Sequence, residues 1–287
     1  MSSSSFSLTE PRATDEQLAV LYDNISVNDV ITPDARCPDG ALPAFLPEEP
    51  GACYRLTWQL YRQKVDIRVF RRLILRIMVQ GKVTPDQALD FKHTRARFKH
   101  LRFACANCDE RHSYPWLLHF VTRQMGFFQD VFRHGRKLMV IRCGLLLLVG
   151  LSPPVWWLLN RRLEDFRPAS PQNFSDYLAR ERGRLAEAVE NDTPVTGHQF
   201  HGLRKIISRL VALNDTRRVL RPLPELDELA VFLASLNGLM GSKHDDLVEE
   251  HLTGVSDYRK YRFPLPEAVA SAIRTLIHAG WQRLPDA

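Results

Sequence analysis

The sequence predicts an all-α protein made of two similar antiparallel helical bundles. Three observations lead there. Apolar residues recur at helical spacing through most of the chain after Cys53, and no segment alternates as a half-buried strand would. Helix-start signals (Thr or Ser before Pro or Gln) and Gly stops divide this stretch into segments. A basic helical phrase also occurs twice, first over Lys92–Phe103 and again over Phe200–Leu210. Each copy is followed about thirty residues later by a Gly and, four residues on, an Asp: Gly126 with Asp130, then Gly241 with Asp245.

Residues 1–52 form an N-terminal tail and extended arm. Within them Thr14–Asn24 reads as a short helix, with Thr14 and Gln17 as a capping box, and 25–52 is too rich in Pro and Gly for periodic structure. The first repeat covers 53–151. A helix from Tyr54 to Gln80 carries Ile67, Phe70, Ile74 and Ile77 on one face, and Gly81 stops it. Thr84 and Pro85 start the next helix, which runs through the first basic phrase to about Ala106. Further helices follow at 114–134 and 137–151. Residues 152–171 are the linker, with a short helix near Pro154, and 172–287 are the second repeat. Its helices are Ser175–Asn191, Gly197–Leu213, Leu226–Gly241, His244–Leu252 after a turn, and Pro266–Arg283 with Ala268, Ile273, Ile277 and Trp281.

The chain has 287 residues, 45% of them apolar and 25% charged, which is ample for a core and ordinary for a globular protein. The net charge of +6 permits a polyanionic partner without requiring one. The five cysteines (Cys37, Cys53, Cys105, Cys108 and Cys143) are odd in number, which argues against a disulfide scaffold and for a reducing cytoplasm. Met1–Ser7 has neither the positive start nor the apolar core of a secretory signal. Cys143–Asn160 contains no charge over 18 residues, close to a membrane-spanning length. Ser152, Pro153 and Pro154 cut it in half, so it reads as the end of one buried helix and the start of another, and no span is expected.

Cations on helices, rather than catalytic residue types, dominate the motifs. Lys92, Arg95, Lys99 and Arg102 are spaced 3, 4 and 3 apart, one stripe on a helix. Like charges in such a stripe repel by a few tenths of a kcal/mol per pair, a cost that a bound anion removes. The plain alternative is a solvated face. Lys64, Arg68, Arg72 and Arg76 recur at every fourth position of the preceding helix, and two neighbouring ridges would make an electropositive groove. In the second phrase His201, Arg204 or Lys205, and Ser208 or Arg209 fall on one side, and His201, Arg204, Lys205 and Arg209 are the candidate contacts. If His201 is a contact, binding should be gained as it protonates. Gly126 and Gly241 suggest close helix approach or a turn, and Asp130 and Asp245 could cap a helix or orient an Arg.

A helix reading His-x-x-Arg with further cations, then Gly-x-x-x-Asp, twice in one chain, resembles the CHAD (conserved histidine α-helical domain) family. The second half matches best, through His201, Arg204, Lys205, Gly241 and Asp245. In the first half Lys92 stands in the His position, and Arg95, Lys99, His100 and Arg102 keep the basic ones. Ser208 and Val211 replace basic residues of the pattern. The resemblance covers about 54–262. It implies two four-helix repeats about a pseudo-twofold axis and binding of inorganic polyphosphate, without catalysis or cofactor. It extends to a cytoplasmic location at polyphosphate granules. The alternating Glu and Lys strands of an attached triphosphatase domain are not found.

Three rivals remain at this point. A basic groove does not separate polyphosphate from RNA. Single-stranded RNA needs aromatic platforms among the cations, whereas Phe91, Phe98 and Phe103 fall at buried spacing, which favours a partner that is only phosphate. Cys105 and Cys108, near His100, His112 and His119, could make a zinc-binding scaffold, although a lone CxxC is a weak signal. An interaction protein would rest on the Pro-rich segment 32–50 alone. No phosphate loop, HExxH or Ser/His/Asp pattern supports an enzyme, and Asp245, Asp246, Glu249, Glu250 and His251 read as a solvated acidic face.

Overall fold

The computed structural model describes residues 6–39, 42–81, 83–190 and 193–279. Eleven α-helices account for nearly all regular structure among them, so the protein is all-α. The one ladder is a two-residue antiparallel pair, Val195–Thr196 (β1) with Arg262–Phe263 (β2). The chain forms two compact units. The first holds 1–22 and 54–168, and the second holds 23–53 and 169–287.

In the first unit four helices close a ring: α3 (Ile67–Gln80), α4 (Pro85–Cys108), α5 (Trp116–Arg133) and α6 (Lys137–Gly150). Each packs on the next, and α6 returns to α3. Short connections make consecutive helices antiparallel neighbours. The interior is aromatic. Phe91 of α4 meets Phe70 of α3 at 5.2 Å and Phe128 of α5 at 5.4 Å between ring centroids. Helix α1 (Asp15–Ser26) begins at the expected Thr14–Gln17 capping box, and α4 at the expected Thr84 N-cap with Pro85 in its first turn, where Gln87 completes a second box.

The single helix expected over 54–80 is two helices, α2 (Glu49–Lys64) and α3. Asp66 ends the continuity, because its carboxylate accepts from the amides of Arg68 and Val69 and caps a new helix. Lys64 therefore does not share a helix with Arg68, Arg72 and Arg76. The segment expected as a linker holds α7 (Pro153–Glu164), which belongs to the first unit.

The second unit repeats the ring with α8 (Pro171–Glu190), α9 (Gly197–Leu220), α10 (Pro224–Leu252) and α11 (Glu267–His278). Thr196 and Gln199 form a third capping box, at the start of α9. The turn expected between Gly241 and His244 is absent, since α10 runs unbroken through both. Trp281 and Arg283, placed by sequence on the last helix, lie outside the described residues.

The arm is anchored within the second unit. Thr32 and Ser235 exchange hydrogen bonds of 2.6 and 3.0 Å, and Asn237 donates to the Asn28 carbonyl at 2.9 Å. Gly238 makes this possible, because a Cβ there would stand 2.5 Å from the Asp29 carbonyl oxygen. Farther along, Arg217 is buried over the Phe45 ring at 3.9 Å, bonded to Glu49 at 3.2 Å and to the Pro43 carbonyl at 2.9 Å.

Candidate polyanion-binding sites

In the first unit the basic phrase lies along α5. Arg95 donates to Gln129 Oε1 at 3.2 Å, and Arg102 donates to Thr122 Oγ1 at 3.2 Å with His119 Nδ1 at 3.5 Å. The α5 residues involved, His119, Thr122, Gly126 and Gln129, have the same 3, 4, 3 spacing as the cations, so two helical stripes run side by side. The bonds to Gln129 and Thr122 fix the direction of each guanidinium. Lys99 is half-buried over the Phe103 ring, and Lys92 is exposed one turn before Arg95.

Gly126 sets the approach. A Cβ at that position would stand 3.2 Å from Arg95 Nη2, so the guanidinium occupies the space that a side chain would take. The second unit does the same: a Cβ at Gly241 would stand 3.1 Å from Arg204 Nη2. Each arginine comes from a basic phrase and each glycine from the following helix, four residues before Asp130 or Asp245. Arg204 is half-buried, and desolvation lowers its pKa, partly offset by Asp245, Asp29 and Tyr258.

His201 sits beside Arg204 and meets His244 at 4.7 Å between centroids, the rings tilted by 33°. His244 in turn meets Tyr258 edge-on at 6.0 Å. Burial first, then Lys205, His244, Arg204 and His198, push the His201 pKa down to about 3. Its Nδ1 is buried without a hydrogen-bond partner. The imidazole is therefore neutral across the neutral range.

Several residues singled out in the sequence do not belong to these sites. Arg209 is buried and committed to the buried carboxylate of Glu181, which also takes Arg184 at 3.1 Å. Ser208 donates to Asn237 at 2.8 Å, supporting the residue that holds the arm. His100 is buried next to Thr57 rather than in the basic stripe. Lys64 lies 3.7 Å from Asp15. Arg68, Arg72 and Arg76 are exposed on the side of α3 opposite Phe70, Ile74 and Ile77, so they face away from the bundle and build no groove with α4.

The structure also contributes residues that sequence reasoning passed over, Gln129, Thr122 and Tyr114 in one unit and His244 and Tyr258 in the other, and it sets His119, weighed in the sequence only as a zinc ligand, beside Arg102. Tyr114 stacks on His119 at 5.6 Å and 5°, and the Arg102 guanidinium lies over Tyr114 at 4.9 Å. An aromatic platform therefore does flank the cationic stripe, which removes the ground on which RNA was set aside. Cys105 is buried at the end of α4, where desolvation pushes its thiol up to about 12, and Cys108 is buried one turn on. Among the described residues no three His, Cys, Asp or Glu side chains group as metal ligands. Comparison with protein-family models, curated proteins and solved structures gave no match.

Proposed function

We propose that this protein binds a phosphate polyanion, inorganic polyphosphate foremost, through two matching cationic seats. The observation that carries the reading is the pairing of Arg95 on Gly126 with Arg204 on Gly241. In each unit a guanidinium is laid on a side-chain-free patch of the neighbouring helix, 3.2 and 3.1 Å from the position of a Cβ. Such a guanidinium is held in place before any ligand arrives, and preorganisation lowers the entropic cost of binding. A planar fork fixed in this way suits bidentate contact with phosphate oxygens.

Lys92, Arg95, Lys99 and Arg102 make the first seat. His201, Arg204 and Lys205 make the second, with His244 and Tyr258 beside them. Neutral His201 serves there as a hydrogen-bond donor rather than a cation. Binding without bond cleavage is the proposed activity, in a cytoplasmic setting and, by extension, at polyphosphate granules. The resemblance to the CHAD family, with its two four-helix repeats, supports the same reading, and the two four-helix rings are consistent with it. The Tyr114–His119 stack next to Arg102 favours one second reading, binding of single-stranded RNA.

A competition experiment separates the two. Labelled long-chain polyphosphate is bound to the full chain and displaced with unlabelled polyphosphate, single-stranded RNA or ATP, at two salt concentrations. The expected result is preference for polyphosphate, a steep loss with salt, and loss in both Lys99→Ala/Arg102→Ala and His201→Ala/Arg204→Ala. Tighter RNA binding that depends on Tyr114 would replace this reading with the second. No binding of any polyanion would end both.

A further inference from the structure

Helices α3 and α6, with the start of α7, present a surface unlike the rest of the protein. The sequence carries no acid between Asp66 and Asp86, and none between Asp130 and Glu164. The second interval alone holds Arg133, Arg136, Lys137, Arg142, Arg161 and Arg162. Asp66 itself is occupied in capping α3. The same helices expose large apolar side chains: Val79 at 85%, Leu138 at 84%, Val149 at 65% and Trp157 at 61% of full exposure.

The apolar exposure is patterned. Leu138, Ile141, Leu145 and Val149 recur at 3, 4 and 4 along the outer face of α6, while Val140, Cys143, Gly144 and Leu147 fill its inner face. A helix apolar all round belongs in a core or in lipid, yet this one stands at the rim of its bundle. Helices α3 and α6 pack side by side. Gly144 admits Met78 so closely that a Cβ would stand 2.4 Å from its sulfur, and Arg71 donates to the Leu148 carbonyl at 2.7 Å.

We propose that α3, α6 and the first turns of α7 dock this protein on the surface of an anionic lipid bilayer. The charge decides among occupants. A second copy would bring one predominantly cationic face, whose nearby acids are Asp66 beside Arg68 and Arg72 and Asp165 beside Arg162, against another and repel it. Anionic headgroups match Arg68, Arg72, Arg76 and Arg142, while Leu138, Leu145 and Val149 enter the acyl boundary. Trp157, with the Arg161 guanidinium over its ring at 5.4 Å, is the amphipathic kind of side chain that anchors at headgroup depth. The mode is in-plane. No single helix among the described residues is long and apolar enough to cross a membrane, and α6 and α7 diverge by 59°. At about 1.5 Å per residue, the 14 residues of α6 reach about 21 Å, short of a hydrocarbon core of about 30 Å.

The test is vesicle flotation with the full chain, comparing phosphatidylcholine vesicles with vesicles of equal phosphatidylcholine and phosphatidylglycerol. The expected result is flotation with the anionic vesicles only. Affinity should fall at least about ten-fold in Leu145→Glu/Val149→Glu and in Arg72→Glu/Arg76→Glu, with circular dichroism unchanged. Arg95→Gln/Lys99→Gln should float as the parent does, and Leu145→Glu/Val149→Glu should still bind polyphosphate, so docking and polyanion binding fail independently. Three results would overturn the proposal: no flotation with anionic vesicles, loss of flotation in Arg95→Gln/Lys99→Gln alone, or sedimentation showing a dimer that Leu145→Glu dissociates.

Discussion

Replacing Glu181 by Gln tests the assignment of Arg209 to the core rather than to the ligand. Arg209 and Glu181 side chains retain only 11% and 10% of their exposure, so the pair lies in a low-dielectric setting. Glutamine keeps the shape and removes the charge, leaving the Arg209 guanidinium buried without its counterion. Removing one partner of such a pair costs about 3–5 kcal/mol. The second unit has about 150 residues, for which 1 kcal/mol shifts the melting temperature by about 2–4 °C. The expected fall is about 6–20 °C in the transition of that unit, read by scanning calorimetry of the full chain, where two units can melt separately. Arg209→Met/Glu181→Leu should recover most of it, because a packed apolar pair replaces both desolvated charges. Losing that pair frees Arg184 to solvent, a small effect for a half-exposed residue. A shift below about 2 °C in Glu181→Gln, or a polyphosphate defect in Arg209→Met at unchanged stability, would refute the reasoning.

Other outcomes follow from the same contacts. Gly126→Ala and Gly241→Ala press on the flexible end of an arginine rather than on backbone, so stability should change by less than about 1 kcal/mol while titration calorimetry shows weaker polyphosphate binding. Gly238→Ala instead drives a Cβ into the Asp29 carbonyl. It should cost about 1–3 kcal/mol and speed limited proteolysis of the arm. Burial raises the Asp215 pKa from its ordinary 3.8 to about 8. The folded state then holds a proton that the unfolded chain releases, and stability falls as pH rises from about 4 to about 8. Asp215→Asn should remove that slope in melts at pH 5 and pH 8. The His201 shift runs the other way. Its folded pKa lies near 3 against 6.5 unfolded, so stability is full above the unfolded value and falls as pH drops below it. In proton NMR the free protein should show no His201 titration between pH 8 and pH 5.

Local signals were the legible ones. Thr14 with Gln17 announces a helix start because a capping box needs only residues three apart, and Thr84 before Pro85 announces another because an N-cap and a first-turn proline are adjacent; both starts formed. The break at Asp66 was missed although its signal was equally local, because the apolar period through Phe70, Ile74 and Ile77 continues smoothly from α2. Gly241 misled for a different reason. A glycine usually ends a helix through its backbone freedom, but here it lies inside α10, and what it supplies is the missing side chain that Arg204 requires. Arg209 and Arg95 look alike in the sequence. The first meets Glu181, 28 residues earlier, and the second meets Gln129, 34 residues later, so only tertiary contact separates a buried ion pair from a half-buried cation held by an amide.

That distinction bears on how a basic protein of this kind divides its charge. Arginines that meet carboxylates, Arg209 and Arg217, are drawn into the core and hold helices and arm together. Arg95 and Arg102, half-buried, are oriented by hydrogen bonds to Gln129 and Thr122 of the neighbouring helix. Arginines on the outer face of α3 stand among exposed apolar side chains in a stretch without acids. A single net charge of +6 thus covers three physical situations. They respond differently to salt: buried pairs are screened little, oriented half-buried cations more, and exposed ones most. If raising salt weakened polyphosphate and vesicle binding in parallel while leaving Arg209-dependent stability unchanged, the division would hold. If melting also shifted with salt as strongly as binding did, the core assignment of Arg209 would fail.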